Sequence, residues 1–284
     1  MAVLSLENVT YIYGEGTPLE VKALDNVSLT VREGAVTGII GHTGSGKSTM
    51  VQLLNGLEKP HSGRVLLDGK DIWADPKRMR EIRFRVGLVM QYPEYQLFEE
   101  TIRADIAFGP RNMGLDEVET SKRVREAAAF VGLSAEDLEK SPFDLSGGQK
   151  RRAAIAGVMA MHPEILVLDE PAAGLDPAGR DGILQGIRNY GAKTGATVII
   201  VSHSMEDMAA YCDDIIVMAN AGVVRAGTRD EVFAHAEELI SVGLDVPQIT
   251  HLIWALRTRG VDLPEGIYTV DAATAAIRKL FDKG

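Results

Sequence analysis

The chain has 284 residues, 45% of them apolar and 25% charged, a composition that excludes a disordered chain, a collagen and a small disulfide scaffold. Thirty basic against forty acidic side chains give a net charge of −10, which argues against a broad nucleic-acid surface and against free adsorption to anionic lipid, and no direct insertion into lipid is expected. The lone cysteine, Cys212, forbids an internal disulfide and favours a reducing compartment. No apolar run reaches the ~18 residues that span a bilayer. Met1 to Thr10 has no basic stretch leading into an apolar one, so no secretory signal is expected.

In chain order, Val3 to Val9, followed by Tyr11 and Tyr13, reads as β. A Gly/Pro turn over Gly14 to Pro18 leads to a second strand pattern at Leu24, Val27, Leu29 and Val31. Ala35 to Ile40 is a continuous apolar run ending in glycine, the pattern of a buried parallel strand. Helical character follows from Ser48 to Leu57, then strands at Val65 to Leu67 and Val86 to Met90. Thr101 to Met161 is mainly helical. Strand signals return at Ile165 to Leu168, Val198 to Val201, Ile215 to Met218 and Val223 to Ala226. Helical segments then recur at Glu231 to Val242, Pro247 to Arg259 and Asp271 to Phe281. Strands interleaved with helices predict an α/β fold with a parallel-sheet core.

Gly41-His42-Thr43-Gly44-Ser45-Gly46-Lys47-Ser48-Thr49 contains the pattern G-x-x-x-x-G-K-S/T between a predicted strand and a predicted helix. Glycines permit a tight loop whose backbone N–H groups face phosphate oxygens, and the helix N-terminus adds positive potential. Lys47 reaches the β- and γ-phosphates of a nucleotide, and the Ser48 hydroxyl suits Mg²⁺.

Ile165 to Leu168 is an apolar strand that ends in Asp169-Glu170. A strand end places both carboxylates at the carboxyl edge of the sheet, where ligands bind in α/β folds. Asp169 suits Mg²⁺, directly or through water, and Glu170 suits orienting and deprotonating an attacking water. On their own, these acids before Pro171 also fit plain turn chemistry. A lone histidine is more often structural than catalytic, but His203 ends the Val198 to Val201 strand, expected beside the Asp169 strand, and so can face a γ-phosphate. Gln91 follows Val86 to Met90, where an amide ligates Mg²⁺ or positions water.

Leu145-Ser146-Gly147-Gly148-Gln149 is the signature pentapeptide of ATP-binding-cassette ATPases, and the stretch from Val3 to about Gly227 resembles one such cassette. Its order is phosphate loop, Gln91, signature, Asp169-Glu170, Gly174-Leu175-Asp176 and His203. Ser146 with the N–H groups of Gly147 and Gly148 precedes a predicted helix from Gln149 to Met161, a setting that favours a γ-phosphate. In this family the signature completes the site of the opposite cassette. The resemblance therefore implies a P-loop ATP-binding-cassette fold and a head-to-tail dimer with two bound ATP molecules and Mg²⁺. Catalysis would fall to Glu170, His203, Gln91 and Lys47. The nucleotide would be held by Tyr13, Gly41 to Thr49, Ser146 to Gln149 and Asp176, and Mg²⁺ by Ser48, Gln91 and Asp169.

Several segments narrow the resemblance to the energy-coupling-factor transporter ATPases, most like the second of their paired ATPase subunits. They are Gly14 to Glu20, Gly41 to Gly44, Gln91 to Phe98, Ser202 to Asp207 and the tail Gly243 to Thr250. That family implies a related or identical ATPase partner, a membrane coupling protein and an exchangeable membrane substrate-binding protein. It also implies uptake of a vitamin or a transition-metal ion, at the cytoplasmic side of the cell membrane as a peripheral subunit. Residues 1–228 are expected to form the cassette, with a helical subdomain at about 92–160, and residues 229–284 a helical dimerisation segment. One departure is Ala172, where the family usually has threonine; the lost hydroxyl costs a local hydrogen bond of about 1 kcal/mol.

Tyr13 is the expected adenine-stacking residue, on its place in the family. Alternation puts Tyr11 on the same side, so spacing does not choose between them. Tyr92, Tyr95, Leu97 and Phe98 around Pro93 suit both a core anchor and a groove for a helix of the coupling protein. A soluble nucleotide-gated clamp would be expected to carry two signatures, sustained heptads or a basic surface, and this chain has none of these. The motor of an exporter or of another importer class shares the same catalytic residues, and the tail and the Gln91 to Phe98 segment are what separate the two.

Overall fold

A computed structural model describes residues 4–281. Met1 to Val3, including the expected start of the first strand, lie outside the described residues, as do Asp282 to Gly284 and the side chains of Ala236 and Phe281. The strands are β1 (Leu4–Tyr13), β2 (Val21–Val31), β3 (Val36–Gly41), β4 (Ser62–Leu67), β5 (Lys70–Asp71), β6 (Val86–Val89), β7 (Ile165–Asp169), β8 (Thr197–Val201), β9 (Asp214–Ala219) and β10 (Gly222–Thr228).

They form two sheets. One is antiparallel with order β2-β1-β4-β5, and the other has order β10-β9-β3-β8-β7-β6. In the second, β9, β3, β8, β7 and β6 run parallel and β10 closes one edge antiparallel. Every residue of β3, β7 and β8 is buried, because layers cover both faces of a parallel sheet. The pleat sends alternate side chains to opposite layers. Ile39, Ile165 and Val167 join Leu4, Leu6, Met50 and Leu53 between the two sheets, around helix Lys47–Leu54. Ile40, Leu166 and Leu168 pack on the other face against Ile106, Ala127, Ala156 and Ile183. Those four come from helices Ile102–Asn112, Glu117–Val131, Gly147–Met159 and Pro177–Thr194.

The longest helix, Pro177–Thr194, is absent from the sequence-based elements. Its four interior glycines weaken the helical signal. Gly186 has a packing cause, since a Cβ there would fall 2.1 Å from the Phe130 carbonyl oxygen. Two further differences concern the tail. The expected helix over Glu231 to Val242 is two short helices, Arg229–Ala234 and Ala236–Ser241, broken at His235. Val232, Phe233, Leu239, Leu244 and Val246 belong to the main core, so cassette packing continues past the expected boundary at 228. Beyond it, helices Gln248–Thr258 and Val270–Phe281 enclose a separate small core of Ile253, Leu263, Ile267 and Ala273. Leu252, on helix Gln248–Thr258, is exposed. Among the described residues no helix is long and apolar enough to cross a membrane.

Candidate nucleotide-hydrolysis site

The loop after β3 is shaped by what fits. A Cβ on Gly41 would lie 2.4 Å from both the Met218 carbonyl oxygen and Ser45 Oγ. Gly44 and Gly46 take φ of +83° and +99°, where a side chain is strained. Lys47 Nζ donates to the carbonyls of Gly41 at 2.7 Å and His42 at 3.0 Å, tying the loop from within. His42 Nδ1 sits 2.9 Å from the Thr43 carbonyl oxygen. The Ser45 hydroxyl is buried and has no hydrogen-bond partner. Helix Lys47–Leu54 begins directly behind the loop, so its first N–H groups open onto it.

The parallel register brings the other groups to the same edge. Asp169 pairs with Val201, and Leu168 with Val89. Glu170, His203 and Gln91 therefore lie one or two residues past three adjacent strands. Glu170 holds a left-handed φ of +53°, and its N–H donates to the Val201 carbonyl at 3.0 Å. A non-glycine residue in that region stores strain and marks a site that over-determines its backbone. His203 Nε2 is 3.3 Å from Glu170 Oε1, without hydrogen-bond alignment, and Oε1 is buried with no hydrogen-bond partner.

These groups share one cavity of about 350 Å³. Thr43, Gly44, Gly46, Lys47, Ser48 and Thr49 form one wall, and Asp169, Glu170, Gln91 and His203 the other. Tyr13 stands at its rim, 42% exposed, with its hydroxyl 3.2 Å from Thr49 Oγ1. Tyr11 is buried and donates to Glu58 at 2.6 Å, its ring edge-on to that of Tyr13. Only Tyr13 offers an open ring face. Gly41, His42 and Ser45 frame the loop from behind and do not line the cavity.

The signature residues lie elsewhere. Ser146 caps helix Gly147–Met159, two residues earlier than the expected start at Gln149. The Ser146 N–H and hydroxyl donate to Gln149 Oε1 at 3.0 and 2.9 Å, and Gln149 Nε2 donates to Asp137 at 3.1 Å. The Gln149 side chain is thus spent on capping. Ser146 and Gly147 are exposed, and none of Ser146 to Gln149 lines the cavity. Asp176 likewise caps helix Pro177–Thr194, accepting from the Gly179 N–H at 2.6 Å, outside the cavity.

Charge is crowded here. Burial, and then the Asp169 charge, push the Glu170 carboxyl from an ordinary 4.5 up to about 7, while Lys47 and the His203 backbone N–H draw it back. Burial also raises Asp169, against the Ser48 hydroxyl that donates to it and the Lys47 charge. Lys47 is lowered by burial, in part restored by Glu170 and Asp169. His203 is lowered by burial and by Lys47. A base held near neutrality beside a buried cation suits proton transfer to and from water.

Among the described residues no three His, Cys, Asp or Glu side chains form a self-sufficient metal site. The Ser48 hydroxyl, Asp169 carboxylate and Gln91 amide bring a few hard oxygens together in the cavity. That donor set fits Mg²⁺, which keeps waters and shares its remaining positions with phosphate.

Sequence reasoning missed two ion pairs behind the site. Arg151, 4% exposed on the signature helix, donates to both oxygens of Glu94 at 3.0 and 2.7 Å, joining that helix to the segment after Gln91. Arg180 holds Asp207 beside His203. Neither partner is adjacent in the chain, so no local pattern announces them.

Residues 24–173 match the family model described as ABC transporter. The energy-coupling factor transporter ATP-binding protein EcfA2 of Clostridium acetobutylicum is 53% identical over 280 residues, 98% of each chain. That of Caldanaerobacter subterraneus subsp. tengcongensis is 53% identical over 95% of this chain and 94% of its own. Among solved structures, cbiO1 of Clostridium perfringens, described as part of the ABC transporter complex cbiONQ, matches with a TM-score of 0.76. It is 40% identical, covering 89% of this chain and 98% of that one. A dimeric post-hydrolysis state of the ATP-binding cassette MJ0796 with ADP and Pi matches with a TM-score of 0.71. It is 30% identical over 79% of this chain and 98% of that one.

Fold and site together define an ATP-binding-cassette ATPase. Within that class, the chain belongs to the family of energy-coupling factor transporter ATP-binding proteins, of the EcfA2 type.

Proposed function

We propose that this ATPase works as one half of a head-to-tail pair, with each phosphate pocket completed by the partner's signature. The observation that carries this is the exposure of Ser146 and Gly147 away from their own chain's cavity. A helix N-terminus with unpaired N–H groups is an anion site awaiting an anion, and the nucleotide on the opposite cassette supplies one. The partner is a related or an identical ATPase subunit.

Within the closed site, Tyr13 stacks on adenine and the loop from Gly41 to Thr49 cradles the phosphates. Lys47 exchanges its loop carbonyls for β- and γ-phosphate oxygens. Ser48, Asp169 and Gln91 hold Mg²⁺, which when bound neutralises charge on the transferring phosphoryl group. Glu170 holds the attacking water and accepts its proton. His203 faces the γ-phosphate and keeps Glu170 in place. Gln149 and Asp176 act through the backbone they cap rather than by side-chain contact. Ala172, which lacks threonine's hydroxyl and methyl, packs partly buried against the core, and Glu170 and Asp176 are both present on either side of it.

The membrane assignment rests on the family and on one surface. Tyr92, Tyr95 and Phe98 are 50%, 84% and 65% exposed, directly after Gln91. Exposed aromatics in a row mark a docking site, here for a helix of a membrane coupling protein that also carries an exchangeable substrate-binding protein. The chain is then a peripheral subunit on the cytoplasmic side of the cell membrane, powering uptake of a vitamin or a transition-metal ion. Ser146→Arg tests the pairing. It should leave ATP affinity of the isolated chain unchanged and block turnover of the assembled complex. Continued turnover, or loss of ATP affinity in the isolated chain, would count against a site shared between two chains.

A further inference from the structure

One side-chain cluster outside the cavity joins the Asp176 segment to His203. Arg180 lies in the first turns of the helix that Asp176 caps. Its Nε donates to both carboxylate oxygens of Asp207 at 2.8 Å, and its Nη2 donates to Ser204 Oγ. Ser204 caps helix Met205–Tyr211, and its Oγ also accepts from the Asp207 N–H at 3.1 Å. On the other side of His203, Ser202 Oγ accepts from the Ser204 N–H at 3.1 Å. Both neighbours of His203 are therefore held by one network that ends on Arg180. Asp207 is 6% exposed, and a carboxylate that deep requires its partner.

The same two helices are fastened independently further along. Arg188 Nη1 donates to the Tyr211 carbonyl at 2.8 Å, and its Nη2 to Asp213 at 3.4 Å. Docking of the helices thus does not depend on Arg180. Arg180 fixes the entry of helix Met205–Tyr211 through Ser204 and Asp207, next to His203, while the Gln248 N–H donates to Glu206 in the same turn at 3.2 Å. A planar guanidinium bonded in two directions transmits displacement better than a flexible point charge.

We propose that Arg180 is a positioning residue that couples the Gly174–Asp176 segment to His203, and through it to Glu170. This rests on the reading of Glu170 and His203 as the pair acting on water and γ-phosphate. Displacement of the Asp176 segment by an arriving partner moves Arg180, which moves the His203 turn. A turnover-competent site then forms only when the pair closes.

Arg180→Met and Arg188→Met in the full chain separate positioning from plain support. In the assembled complex Arg180→Met should lower kcat by ~10–100-fold, with KM for ATP nearly unchanged. Arg188→Met should leave kcat near wild type. In histidine-labelled full-length protein, the His203 ring signals, assigned through His203→Ala, should shift in Arg180→Met and stay in Arg188→Met. If Arg180→Met does not fold by circular dichroism, Ser204→Ala carries the same expectations. Normal kcat in Arg180→Met while His203→Ala is impaired would overturn the inference and spare the reading of the pair. Equal shifts of the His203 signals in both arginine variants would overturn it too. Normal turnover by His203→Ala would overturn the underlying reading and the inference with it.

Discussion

His203 Nε2 lies 3.3 Å from Glu170 Oε1 across the ends of two adjacent parallel strands. The contact places a carboxyl pushed up to about 7 and an imidazole lowered by burial face to face beside the buried Lys47. The pH dependence of stability and the role of Glu170 in turnover follow from that crowding.

Glu170 makes nucleotide-free stability depend on pH. Its folded carboxyl titrates at about 7 against an ordinary 4.5, so between those values the folded chain holds a proton that the unfolded chain has lost. Stability from this group is full below the lower value and falls as pH rises through the upper one. Glu170→Gln removes the penalty. Thermal melts should show the variant more stable than wild type at pH 8, by at most ~3 kcal/mol, with the gain gone near pH 4.5. A gain independent of pH would contradict the raised carboxyl.

Tyr13→Ala should weaken ATP binding by roughly tenfold or more, since stacking on a base is worth ~1–3 kcal/mol. Tyr11→Phe should leave affinity unchanged, because its hydroxyl serves Glu58 and its ring is covered. Titration of Tyr13→Ala with a fluorescent ATP analogue decides the matter, with Tyr11→Phe as the control for the hydroxyl bonded to Glu58, and wild-type affinity in Tyr13→Ala would remove the stacking role from Tyr13.

Replacing both Tyr95 and Phe98 by alanine should release the protein from membranes that contain its partners. Phe98 also meets Phe108 edge-on, so folding is first checked by circular dichroism. ATP binding by the isolated chain should survive. Normal membrane retention and uptake would mean that the docking surface lies elsewhere.

Deleting residues 248–284 should weaken pairing with the partner ATPase and leave nucleotide affinity intact. The deleted part holds the separate small core and none of the cavity residues. Deletion from 229 is a poorer test, because Val232, Phe233 and Leu239 fill the cassette core. Sedimentation at low concentration that shows undiminished pairing would remove the dimerisation role from the tail.

The phosphate loop, the acidic strand end and His203 were legible because each depends on a few consecutive residues whose chemistry and neighbouring strand pattern agree. Helix Pro177–Thr194 was not, since its glycines answer to close packing such as that at Phe130 rather than to helix propensity. The difference in exposure between Tyr11 and Tyr13 depends on the end of β1, where β2 still pairs with Tyr13 but pairing with β4 has ended at Thr10. Glu94 and Arg151 are 57 residues apart, and Arg180 and Asp207 27 apart. Such pairs exist only once the sheet and helices are assembled. The distance between the signature and its own chain's pocket was likewise invisible in the order of motifs, and it is the feature on which the paired arrangement rests.

The most direct measurement is ATP turnover by the assembled complex carrying Glu170→Gln, together with ATP affinity of the same chain. An amide keeps the shape and cannot take the water's proton, and loss of a positioned base costs ~10²–10⁴ in rate. Turnover should fall to that extent with ATP bound as tightly as by wild type, while Lys47→Ala loses affinity instead. Turnover near the wild-type rate in Glu170→Gln would contradict the assignment of Glu170 as the hydrolytic base.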